Sequence, residues 1–441
     1  ADPKLTFTAP AEEGSAPFEY AMNPSNNINT GSQGLTYITF YTGWPSNLTI
    51  QYNPDKGTNE LVDYPKKLSE LKTTYTITEY PYITTENAEA AQTAYDAYKS
   101  GKALSQDQID IINSVLNISL PTGVQSIKEG IFSGKDANGV DVAGESANTE
   151  IKTITMNGLD EIDPYTFMGC SSLIGAYVNG DTTKLGDYAF KDCEKLEDVD
   201  ILSPLEEYGI RPFKGCSALT HVEFGNNPNY TCDQAVVYGT ANGSKTSLLE
   251  VLEPRGLSYG TGTLTKQELE GITPIAEQAA MDCNGILSAD FSNSKITELP
   301  VSVFENTKNL YSVILPETTR KIAKHAFRNS NIRYLEIPKT LSVIDNAAFE
   351  EDPQTITFYC EADSPAADYA SNFSNIVVSD KPVTFKVTFY DDDAVTVLDT
   401  VEVPAGGNAE THIIPTKAGY VFKGWMPNPV GVMEDMKTYA T

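Results

Sequence analysis

Apolar residues recur through the middle of the chain at a spacing that belongs to neither a helix nor a strand. Between residues 161 and 224 four columns repeat every 23 residues: Ile162, Leu185, Tyr208; Phe167, Phe190, Phe213; Cys170, Cys193, Cys216; and Leu173, Leu196, Leu219. A period of roughly 20 to 50 residues marks a solenoid, in which each unit leaves an apolar face for its neighbour to cover.

The rhythm starts near Leu120, with an Ile127 to Phe132 step that matches Ile162 to Phe167; a polar insert, 133–148, reads as a loop before a strand at 151–156. After residue 224 it is suspended. Apolar runs at 235–238 and 248–252 flank Asn242-Gly243, a strong hairpin signal, and Thr265 with Glu268 forms a capping box that predicts a short helix. It resumes with Ile275, Ala280, Cys283 and Leu287, then Leu299, Phe304 and Leu310, then Ile322 and Phe327, then Ile344 and Phe349.

The flanks have other periods. Residues 1–83 read as a β-rich domain, with alternation at 5–8 and 74–78 and β-branched or aromatic runs at 38–41 and 48–52; such a domain would cap the open end of a solenoid. Residues 84–119 read as a helical hairpin spacer: Ala88, Ala91, Tyr95 and Tyr98 share a face that stops at Gly101, and Ser105 caps a second stripe of Ile109, Ile112, Val115 and Leu116. The solenoid then covers 120–376 with a hairpin insert at about 225–271, and 377–441 form a separate module. There Phe385, Val387 and Phe389 alternate into a turn at 391–393, Val395, Val397, Val401 and Val403 alternate out of it, and 404–407 breaks the strand. Tyr420 and Phe422 are placed on one strand face, with Trp425 as the plug of a small core. The fold class is mixed α/β, mainly β.

The columns fix a phase. Val199 and Ile201, Val222 and Phe224, Val313 and Leu315, and Leu335 and Ile337 point inward, so their neighbours face out. The outward ladder is Tyr177; Asp198 and Asp200; His221 and Glu223; Asp290; Ser312 and Ile314; Tyr334 and Glu336; Thr357 and Tyr359. Tyrosines beside carboxylates suit a glycan ring or a protein surface, because tyrosine supplies contact area at low entropy cost.

Charge narrows the partners. With 60 acidic against 31 basic residues the net charge is −29, a field that repels nucleic acid and anionic lipid. One island runs the other way: Arg320, Lys321, Lys324, Arg328, Arg333 and Lys339 face only Glu317 and Glu336. It either receives an acidic partner or pairs with neighbouring acidic coils, and pairing is the stronger expectation. Four of six cysteines lie in the repeat column, which makes them small buried hydrophobes and not a disulfide framework; Cys232 and Cys360 lie off it. No CxxC pair points to zinc, and His221, His325 and His412 fall at unrelated repeat positions, so no catalytic, metal or cofactor site is expected. Asp198 and Asp200 could serve glycoside hydrolysis or calcium, but nothing marks a pocket around them. No apolar run reaches the ~18 residues of a membrane span. The chain starts at Ala1 without Met, as a processed exported protein or a trimmed one would.

The segments YTFMGCSSL (165–173), YAFKDCEKL (188–196) and HAFRNSNI (325–332), with prolines beside the strands as in ILPETTRKIAKHAF, resemble BspA-like leucine-rich repeats over about 120–376. The resemblance implies a curved solenoid on a bacterial surface, linked to adhesion and to host or matrix contact, with no catalytic residues. VTFYDDD, VEVPAGG and AGYVFKGW resemble the Listeria-Bacteroides surface repeat, which implies a small β-grasp-like module. The expectation is a monomeric, exported, non-catalytic adhesion or ligand-binding protein, with any lipid anchor lying outside this sequence. The rivals are a carbohydrate-binding accessory protein of nutrient uptake and, from another class, a glycoside hydrolase.

Overall fold

The computed structural model describes residues 49–53, 55–63, 97, 100, 102–103, 105, 116–120, 123–255 and 262–441 apart from 418, 430 and 433. The strands expected at 5–8, 38–41 and 74–78 and nearly all of the helical hairpin at 84–119 lie outside them. The chain forms two compact units, 1–227 and 228–441.

In the first unit, Asn117–Leu120, Thr153–Met156, Gly175–Val178 and Asp198–Ile201 form a parallel sheet in chain order, extended by a bridge from Asp200 to Glu223. Two-residue strands at Glu161–Ile162, Lys184–Leu185 and Glu207–Tyr208 build a second wall. The register follows the repeat: Thr155, Tyr177 and Asp200 are aligned, as are Met156, Val178 and Ile201. Inward residues are buried as the phase requires, Val199 at 2% exposure and Val222 at 0%.

Each coil turns around its Phe. Phe167, Phe190 and Phe213 stack with centroids 5.0 and 5.6 Å apart, an arrangement that adds to their area burial. The residue two before the Phe is left-handed at Tyr165, Tyr188 and Arg211, and the residue two after is left-handed at Gly169, Asp192 and Gly215. These bends aim alternate N–H groups at the next coil, as in Tyr165 to Asp187, Phe167 to Ala189 and Gly169 to Lys191. Buried backbone donors are thereby satisfied where no strand exists.

An antiparallel hairpin, Thr49–Asn53 with Thr58–Asp63, closes this unit: Glu60 and Leu61 pair in parallel with Ser126 and Ile127, and Leu61 is fully buried. This falls within the predicted β-rich cap, and Leu61 extends the first apolar column to a position the period does not reveal.

The second unit opens with a three-stranded antiparallel sheet, Tyr230–Asp233, Val236–Ala241 and Ser244–Val251, the last two joined by left-handed Asn242 and Gly243 as their residue types require. Thr265 and Glu268 make the expected reciprocal hydrogen bonds, but the segment is a turn, not a helix: left-handed Gly271 ends it after little more than one turn. Six parallel strands follow, Thr263–Leu264, Ser288–Asp290, Ser312–Ile314, Tyr334–Glu336, Ile356–Tyr359 and Ile376–Ser379, with Glu298–Leu299, Lys321–Ile322 and Val343–Ile344 on the second wall. The column residue expected at Leu287 is Ile286, fully buried three residues after Cys283 as Leu173 is after Cys170; Leu287 is only half-buried. A helix the apolar pattern does not signal, Pro365–Ala370 with Ser364 as its cap, covers the last coil.

The C-terminal sheet has the order Val397–Pro404, Thr384–Tyr390, Met436–Ala440, Trp425–Met426. Its own core is Val387, Phe389, Val403, Ala409 and Val432, with Trp425 edge-on to Phe389 at 4.8 Å. Trp425 is the expected plug. Tyr420 and Phe422, however, lie in irregular chain, Tyr420 72% exposed, because the strand begins only at Trp425.

Candidate functional site: the outer face of the coil sheets

The ladder falls on two sheets, and the two parts differ. In the first unit Tyr177 dominates. Its strand neighbour on the same face is Gly175, and a Cβ there would lie 2.7 Å from the Tyr177 hydroxyl and 3.0 to 3.1 Å from ring carbons. Only glycine therefore lets the ring lie down across the sheet. The hydroxyl donates to Asp198 Oδ2 at 2.8 Å, Asp198 being the cross-strand partner of Gly175. That bond, with some burial, raises the Tyr177 phenol above its ordinary value.

Carboxylates surround this ring. Asp200 stands opposite Tyr177, and partial burial, then the charges of Asp198 and Glu223, push its carboxyl up. Glu223 accepts from the Gly225 N–H at 2.6 Å and lies 3.6 Å from His221 Nε2. Asp198, His221 and Glu223 are exposed. The arrangement offers an aromatic platform with hydrogen-bond acceptors at its rim.

In the second unit Asp290, Ile314, Tyr334, Glu336, Thr357 and Tyr359 are half-buried, and Ser312 is only 4% exposed. The expectation of an open face fails here. Alternation does aim these residues away from the coil core, but the C-terminal module lies over them: Ser312 Oγ donates to the Ala405 carbonyl at 2.6 Å, and Tyr334 meets the Phe385 ring edge-on at 6.3 Å. Burial and the nearby Asp290 carboxylate raise Glu336.

The basic island is largely paired internally. Arg328 contacts Glu305, Glu350 and Glu351 at 3.1, 3.5 and 2.6 Å, and Lys321 contacts Glu298 at 3.1 Å. Arg320 donates to the carbonyls of Glu317 and Thr319, Arg333 lies over the Tyr311 ring, and Lys324 is exposed. His325 is 3.0 Å from Glu350. All six cysteines are free; those of the column are buried, and each donates Sγ to a carbonyl of an earlier turn of chain: Cys170 to Phe132, Cys193 to Phe167, Cys216 to Phe190 and Cys283 to Val251. Among the described residues no group of three or more His, Cys, Asp or Glu could hold a metal ion, and no helix is long and apolar enough to cross a membrane.

What the ladder reading missed could have been found. A glycine two before an outward tyrosine signals a ring laid flat, and the Asp, Gly and Asn residues two after every column Phe but Phe349, where Glu351 stands, signal the left-handed column.

The BspA type leucine-rich repeat region matches residues 111–240 and 260–356 in six copies, more than half of the chain, and the chain belongs to that family. Among solved structures it is similar to the pneumococcal vaccine antigen PcpA, at 14% identity over 60% of this chain and 78% of that one, with a TM-score of 0.42. A leucine-rich repeat protein from Bacteroides ovatus matches at 12% identity over 77% and 67%, with a TM-score of 0.40. A leucine-rich cell surface protein from Faecalibacterium prausnitzii matches at 15% identity over 75% and 97%, with a TM-score of 0.29. No curated protein matches.

Proposed function

We propose that this is a non-catalytic, exported bacterial surface protein that captures an extracellular protein or glycan on the outer sheet face of its first unit. Membership of a BspA-type family, linked to adhesion, supports the surface setting. The single observation that carries the site is Tyr177, laid flat over Gly175 and tied to Asp198. Asp200, His221 and Glu223 complete the contact surface, because they share the outward rows with it. The net charge of −29 selects neutral or cationic ligands over phosphorylated or sulfated ones. The protein acts as a monomer, and residues 377–441 form the β-grasp-like surface repeat that their sequence resembles.

The flat ring favours a second reading as well: a carbohydrate-binding accessory protein, since a sugar stacks on an aromatic face laid parallel to the sheet. A matrix-protein panel and a glycan array probed with the same sample separate the two. Either reading requires that Tyr177→Ala abolish the captured signal. Retention of full signal by that variant removes this face as the site.

A further inference from the structure

The Ala405–Gly406 turn of the C-terminal module is latched to the second sheet through its backbone carbonyls. Ser288 and Ser312 are register partners on adjacent strands, and both face outward. Ser288 Oγ donates to the Gly406 carbonyl at 2.8 Å and Ser312 Oγ to the Ala405 carbonyl at 2.6 Å. Gly406 has φ +79°, and a Cβ there would lie 2.6 Å from Ser288 Cβ and 3.0 Å from Ser312 Cβ. The seat therefore needs small hydroxyl residues on the sheet and a glycine in the turn.

The module has its own apolar core, which shares no residue with the core of the coils. Residues 380–382, which join the two, are exposed. Between module and sheet a narrow gap of about 20 Å³ remains, lined by Ile314, Tyr334, Glu336, Tyr359, Pro382 and Val383. A self-contained body on an exposed tether, held by two neutral hydrogen bonds and a ring edge, can lift without unfolding the coils.

We propose that the C-terminal module is a displaceable cover, latched by the Ala405–Gly406 turn on Ser288 and Ser312, which controls access to Ile314, Tyr334 and Glu336. The value of the uncovered surface to a ligand rests on the ladder reading given above; the opening itself does not. While seated, the module confines capture to the first unit, and lifting it adds a second outward face with the same alternation.

The test follows a thiol introduced by Ser312→Cys in the full chain, using Cys283, buried in the coil core of the same unit, as an internal clock for unfolding. Peptide mass spectrometry after timed alkylation reads both sites. The expected result is labelling of the introduced thiol at least tenfold faster than Cys283, and a further gain of tenfold or more when Gly406→Ala is added, with Cys283 unchanged. Labelling of the two thiols in step, with or without that substitution, makes the module a permanent part of the fold and overturns the proposal. Should the introduced thiol perturb the seat, the unsubstituted chain and Gly406→Ala alone are compared by amide exchange. Faster exchange confined to the amides around the seat agrees with a lifting cover, and exchange unchanged or raised throughout the unit contradicts it. No ligand enters either readout, so failure of the ligand-capture reading leaves this result standing.

Discussion

Cys193 Sγ lies 3.1 Å from the carbonyl oxygen of Phe167, one coil earlier, and Cys216 repeats the contact with Phe190 at 3.1 Å. In the second unit Thr307 takes the same column position and gives its hydroxyl to the Ala280 carbonyl at 3.0 Å. The column thus selects a small donor as well as a small volume. Thr307→Val, which keeps the shape and deletes the donor, is expected to lower stability by about 0.5–1.5 kcal/mol, the net worth of one hydrogen bond, because the Ala280 carbonyl keeps the Cys283 N–H. Urea unfolding measures it. Six reactive thiols in denaturant without reductant are expected, and four or fewer would reveal a disulfide.

Arg255 and Glu268 join the hairpin to the coil that follows it. The pair is 2.8 Å apart with Arg255 1% exposed, and the guanidinium also donates to the carbonyls of Gln234 and Thr263. Removing one partner leaves a buried charge, so Glu268→Leu alone should cost about 3–5 kcal/mol. The double variant Arg255→Met with Glu268→Leu should recover most of that loss in thermal unfolding.

Asp352 ends the same column, buried beside Ser330 and Gln354. Burial pushes its carboxyl from the ordinary 3.8 up to about 7. The folded protein then holds a proton that the unfolded chain releases. This contribution to stability is complete below pH 3.8 and is lost as pH rises towards about 7. Asp352→Asn should flatten that part of the profile, visible as the difference between the two urea midpoints at pH 4, 5.5 and 7.

Arg328 gathers Glu305, Glu350 and Glu351, whereas Lys324 is exposed. Arg328→Glu should lower the melting temperature, with the loss shrinking in high salt, and Lys324→Glu should leave it unchanged.

The coils were legible because a fixed period makes every apolar column visible several times, and strand alternation then orients Val199 and Val222 inward without further information. The open face of the first unit follows from that same phase. The cover on the second was hidden for a physical reason: the segment that buries Ser312 lies 93 residues away, and no local pattern records a contact made by a serine hydroxyl to a backbone carbonyl. Leu287 was misplaced because two apolar residues stand together at 286–287 and only the packing chooses between them. The helix at Pro365–Ala370 was written in its Ser-Pro start, a cap followed by a residue that suits the first turn, but it is too short to show a period.

The most direct measurement is ligand capture by Gly175→Ala, because this change removes no atom that a ligand would touch. The added methyl occupies the space under the Tyr177 ring and lifts it from the sheet. The account predicts that whichever matrix protein or glycan the wild-type chain captures is lost from Gly175→Ala as fully as from Tyr177→Ala, with the melting temperature of the first unit nearly unchanged. Undiminished capture by a folded Gly175→Ala protein would contradict it.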